Sequence, residues 1–97
     1  MKYKVYYTKG FPGRVGKFFK PGKTHKFIRA VEADGRDDAF RQMQGLNWSP
    51  HGEARSIIRK AGVSHTSMSV GDVLVDHRSR AWVCASVGWQ AIQHDDD

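Results

Sequence analysis

The sequence predicts an α+β fold: a single small domain with a mainly antiparallel sheet and two helices. Three observations carry that prediction. Strand-like alternation occupies the first residues, two helical patterns follow one another in the middle, and a short apolar run pairs with its neighbour as a hairpin near the end. A chain of 97 residues has room for one core and not for two. The expected domain spans 1–94, with a long basic loop at 9–23 and an acidic tail at 95–97.

Taken in order, Tyr3, Val5 and Tyr7 alternate with Lys2, Lys4 and Tyr6, the period of a half-buried strand. Residues 9–23 then hold four glycines and two prolines, which prevents a regular element and predicts an exposed loop, with a short turn around Phe18 and Phe19. His25 to Glu32 reads as a second strand. Simple alternation puts Phe27 and Val31 on one face and Ile28 and Ala30 on the other, and apolar residues on both faces suggest a central position. Asp34 is placed to cap a helix whose first turn holds Asp37 and Asp38, whose buried face is Ala39, Phe40 and Met43, and whose stop is Gly45.

The second helix has the clearest signature. Ser49 is an N-cap, Pro50 takes the first helical position, and Ala54, Ile57, Ile58 and Ala61 form a stripe that Gly62 ends. Gly71-Asp72 turns the chain into a strand at Val73-Leu74-Val75. A loop over 76–80 leads to its hairpin partner at 81–87, and Trp89 and Ile92 close the edge of the core. The order is strand, loop, strand, helix, helix, strand, strand.

Charge is distributed unevenly. The net +6 conceals nine Lys or Arg and no Asp or Glu in residues 1–31, against seven basic and ten acidic residues in 32–97. Such asymmetry bears on partners and encounter rates rather than on fold. The lone Cys84 has no disulfide partner, no apolar run is long enough to span a bilayer, and the N-terminus lacks a secretory pattern. The expected location is the cytoplasm, with no membrane partner.

Catalytic and metal-binding patterns are weak. Cys84 sits in a strand between Val83 and Ala85, where cysteine behaves as a small hydrophobe, and no Gly-x-Ser-x-Gly elbow surrounds a serine. His25, His51, His65, His77 and His94 show no paired-ligand spacing, and no phosphate-binding glycine loop precedes a helix. No catalytic residue, metal or cofactor is expected. The basic loop offers more. Arg14, Lys17, Lys20, Lys23 and Lys26 alternate with Phe11, Phe18 and Phe19, so cations can follow phosphates while rings stack on bases. A second surface is expected from Trp48, Arg55, His65, Thr66, Ser67, Ser69 and Trp89, although turn chemistry alone also accounts for the serines and Asp72.

Part of the chain resembles a known family. Asn47-Trp48-Ser49-Pro50-His51-Gly52-Glu53-Ala54-Arg55, the run His65-Thr66-Ser67-Met68-Ser69-Val70-Gly71-Asp72-Val73, and Val87-Gly88-Trp89 are similar to small proteins of bacteriophages and mobile elements. They resemble the YodL-like domain, in which a Ser-Leu/Met-Ser-Val-(Ser/Gly)-Asp-Val motif precedes a hairpin ending in Gly-Phe or Gly-Trp. The resemblance covers roughly residues 38–92 and leaves the basic loop outside. It supplies no catalytic residues. It implies an accessory protein that binds a host macromolecule of a bacterial cell, a protein or defence complex first, to modulate or inhibit it. Direct binding of DNA or RNA through residues 9–26 is the alternative, and an enzyme with an unrecognised site ranks last.

Overall fold

A computed structural model of the chain describes residues 1–10, 18–44, 48 and 53–94. Among these, six strands and two helices follow in the order β1 (Lys2–Thr8), β2 (Phe18–Phe19), β3 (His25–Glu32), α1 (Arg36–Gln42), α2 (Glu53–Ala61), β4 (Val73–Val75), β5 (Ala81–Cys84) and β6 (Trp89–His94). The strands form one sheet in the order β2-β6-β5-β4-β1-β3, antiparallel throughout except where β2 runs parallel to β6. The α+β class and the mainly antiparallel sheet expected from the sequence are thus present. No helix of the described residues is long and apolar enough to cross a membrane.

The sheet has two differently packed faces. Tyr3, Val5, Tyr7 and Leu74 join Ile28, Val31 and the buried residues of both helices, Ala39, Ala54 and Ile58, in the larger core. Side chains of opposite parity, Val73, Val75, Ala81 and Val83, form a second core on the other face, closed by Phe19. The Phe19 ring lies 4.9 Å from Tyr6 on β1 and 5.3 Å from His25 on β3, although β2 and β3 occupy opposite ends of the strand order. The sheet therefore curls until its two edges meet, and a bridge between Pro21 and His25 marks the seam. Burying Phe19 stabilises that closure by about 2 kcal/mol.

Four expectations need correction. Phe18 and Phe19 make a short strand rather than a turn within an open loop, because the chain returns along β6 and gives them a partner. The hairpin strand stops at Cys84 and not at Val87. Ala85 N donates to Gly88 O at 3.0 Å, Gly88 has φ 71°, and the chain reverses into β6, which the sequence left as a core edge. Asp34 does not cap α1. Gly35 stands at the N-cap without a side-chain bond, and the Asp38 carboxylate reaches back to accept from the Asp34 N–H at 3.0 Å. The α2 cap at Ser49 and Pro50 and the stop at Gly45 lie outside the described residues.

β3 is an edge strand, and its simple alternation fails at a bulge. Val5 faces Arg29 and Tyr6 faces Phe27, so Ile28 is an extra residue with no partner on β1. Ile28 turns into the helix-side core at 5% exposure, and every residue before it changes face. Phe27, expected beside Val31, emerges instead on the opposite side at 51% exposure.

Candidate functional site

Two constellations arise from this framework, a buried polar knot around Asp72 and an exposed basic and aromatic region along β1 and β3. The knot begins with Gly71, whose φ of 100° lets the chain turn sharply before β4. Asp72 follows it with no solvent exposure. Its carboxylate accepts from Thr8 N at 2.8 Å, from Ser69 N at 2.8 Å, and from His65 Nε2 at 3.0 and 2.8 Å to its two oxygens. A buried carboxylate is tolerated only with donors of this number. His65 stacks on Tyr7 with ring centres 4.6 Å apart and planes 14° from parallel. Its Nδ1 is buried without a hydrogen-bond partner among the described residues.

Around this pair the neighbouring polar groups are consumed by the fold. Thr66 O accepts from the Tyr7 hydroxyl and from Trp48 Nε1, each at 2.6 Å. The Ser69 hydroxyl donates to Ser67 O at 3.1 Å, and Gln44 Nε2 donates to Met68 O at 3.1 Å. His25 Nε2 donates to Gly71 O at 2.8 Å, which requires that tautomer because a carbonyl only accepts. Its Nδ1 then takes the Thr24 hydroxyl at 2.7 Å. Burial above all holds the His25 pKa below the ordinary imidazole value, against the opposing pull of the Gly71 carbonyl and the Asp72 charge.

The knot gives little nucleophilic chemistry. Burial, then the charge of Asp72, keeps the Tyr7 phenol protonated. Burial first, then Asp72 and Asp37, pushes the Cys84 thiol up to about 11, so it is not a thiolate at neutral pH. Cys84 lines a shallow cavity of about 190 Å³ with Asp37, Phe40 and Trp89, below the usual volume of a small-molecule site. No group of three metal-ligating side chains occurs among the described residues.

The residues expected to form a second surface therefore separate. Trp48 is 1% exposed and belongs to the core, which removes it from any docking face. His65, Thr66, Ser67 and Ser69 are half-buried in the knot. Trp89 is half-buried, packs against the core and donates from Nε1 to Asp37 at 3.0 Å. Arg55 is exposed on α2, where it borders a groove with Ser56, Arg59 and Lys60.

The basic segment fares differently. Arg14, Lys17 and Phe11 lie outside the described residues. Phe19 is fully buried, so it closes a core and cannot meet a partner, whereas Phe18 is 53% exposed. Lys20 and Lys23 belong to a tight turn in which Lys23 N and Thr24 N both donate to Lys20 O at 2.9 Å. Lys9 N donates to Thr24 O at 3.1 Å, which brings Lys9 against the same turn. Lys9 and the lysines of the 20–24 turn thus attach at one end of the β1–β3 pair. On the sheet itself Lys2 and Lys4 share the face of Tyr6 and Phe27. Lys26, opposite Tyr7, and Arg29, opposite Val5, take the helix side, where the Arg29 guanidinium lies 5.3 Å from the Trp48 ring. The cations share the β1–β3 strand pair, not one face.

Sequence reasoning missed Phe27 and Lys4 as surface residues. Lys4 was legible from its alternation with buried neighbours. Phe27 was not, since its exposure depends on the bulge. Comparison of the chain with protein families, curated proteins and solved structures finds no match in any of the three.

Proposed function

We infer that this domain is a binding module for nucleic acid, engaged through the basic region formed by β1, β3 and the turn at 20–24. The observation that carries this reading is the attachment of Lys9, Lys20 and Lys23 at one end of a strand pair that also bears Lys2, Lys4 and Lys26. Residues 1–31 hold no Asp or Glu, and Glu32 stands opposite Lys2 at the far end of the pair. Backbone bonds hold the turn, so the points from which its lysines project are set before a partner arrives, and the backbone has little left to order on binding. Polyphosphate backbones are the ligand class whose affinity grows with such an array.

The host-protein reading comes from the family resemblance, and the surface expected to serve it comprises Trp48, Arg55, Trp89 and the 65–72 segment, of which Arg55 alone stays exposed on a helix. The others spend themselves on the core and on the Asp72 knot, which favours the phosphate ligand over a protein one. The Ser67–Val73 run that resembles the YodL-like domain supplies that knot, so the resemblance bears on the scaffold more than on the binding region. An accessory role in a mobile element fits a small module of this kind.

The test is an anisotropy titration of labelled DNA and RNA oligonucleotides against the protein and its Lys9→Glu/Lys20→Glu/Lys23→Glu variant. The reading requires binding by the parent protein that the variant loses with its unfolding midpoint unchanged. Binding to neither nucleic acid, beside capture of a stoichiometric protein partner from nuclease-treated lysate, would return the host-protein reading to first place.

A further inference from the structure

We propose that the ligand is single-stranded, and that Phe27 is the platform on which one of its bases stacks. This rests on the nucleic-acid reading above and narrows it. Phe27 is one of the few large apolar side chains the described residues leave half in water, at 51% exposure, and it is delivered there by the bulge. Without the extra residue Ile28, Phe27 would sit on the helix side with Val31. Bulges commonly re-aim a side chain next to a working surface.

The platform is anchored. Phe27 packs edge-on against Tyr6 at 5.5 Å, and Tyr6 packs edge-on against Phe19 at 4.9 Å, a ring with no exposure at all. The row of aromatic rings ties the exposed one to the inner core, so little side-chain freedom remains to be lost on binding. On the same face, the next pair along the two strands is Lys4 and Ala30, both exposed. Ala30 leaves low ground beside the ring, and Lys4 places a cation across from it. The following pair is Lys2 and Glu32, so the acidic side chain stands at the far end of the row.

That arrangement of a ring, a shelf and a cation suits a splayed nucleotide. The base lies against the ring and the phosphate meets the ammonium. In a duplex the bases already stack on one another and show only their edges in the grooves, so a half-exposed phenylalanine would first have to unstack a base step, at a cost in stacking energy. The lysines of the 20–24 turn would serve both forms alike. Phe27 is the element that separates them.

The experiment compares a labelled oligothymidylate with a DNA duplex of equal phosphate count, for the full chain and for Phe27→Ala, Phe27→Trp and Lys4→Glu. Tighter binding of the single strand is expected. Phe27→Ala should weaken it by about 5- to 150-fold, the usual worth of one stacked base, and leave duplex binding unchanged. Phe27→Trp should retain the single-strand preference, and thermal unfolding should show that all variants fold. Equal affinity for the two ligands, or an oligothymidylate affinity that Phe27→Ala does not alter, overturns the inference while the nucleic-acid reading stands. Failure of both ligands to bind at about 50 mM salt removes the wider reading and this one with it.

Discussion

Asp72 ties the end of β1, through Thr8 N, to its own approach loop, through Ser69 N and the His65 ring. Asp72→Ala leaves three donors facing an apolar void. A loss of about 3–5 kcal/mol is expected in urea unfolding. His25 governs part of the pH response. Because burial lowers its folded pKa, the unfolded chain takes up this proton first, and stability declines as pH falls below about 6.5 before levelling beneath the folded value. The urea midpoint should drop between about pH 7.5 and 5.5, and His25→Asn should flatten that portion of the curve. Were the variant to keep the full slope, the titrating group would lie elsewhere. Asp76 belongs to a different regime. Although burial opposes it, donation from Trp82 Nε1 and the N–H groups of Arg80 and Arg78, with the Arg80 charge, holds its carboxyl down to about 2. Its contribution is complete above about pH 4 and fades only in strong acid.

Among the elements, the turns decide which strands exist. Gly88 has φ 71° and open space where a Cβ would lie, so Gly88→Ala costs backbone strain alone, about 1 kcal/mol in thermal or urea unfolding. Gly35 is equally uncrowded but extended, at φ 179°, and starts α1 without a side-chain cap. Gly35→Ser should therefore stabilise by about 0.5 kcal/mol, opposite in sign to the first substitution. Helix α2 and strand β4 were legible because burial and period agree. Ala54 and Ile58 are buried at their helical spacing, and Val73–Val75 is apolar on both faces because the curled sheet covers both. Strand β6 escaped notice because Trp89 and Ile92 face different cores, which leaves no alternation to read. β2 escaped because two residues carry no period, and their partner lies more than seventy residues along the chain. The bulge in β3 is a property of its pairing with β1, so the face of Phe27 was not available from β3 alone.

At the scale of the molecule, the helices cover one face of the sheet, and the cations spread along the strand pair β1–β3 and the turn that precedes β3. The excess of basic residues before position 32 was legible from composition, whereas the attachment of Lys9 at the 20–24 turn follows from its bond to Thr24 across the fold. The most direct test is the dependence of oligonucleotide affinity on salt. A plot of log affinity against log salt should fall with a slope of about −2 or steeper, since each phosphate neutralised on a single strand contributes about −0.7. In the Lys9→Glu/Lys20→Glu/Lys23→Glu variant the slope should flatten along with the affinity. A slope near zero in the parent protein, or a slope that the variant leaves intact, would contradict a role for these cations in binding phosphate.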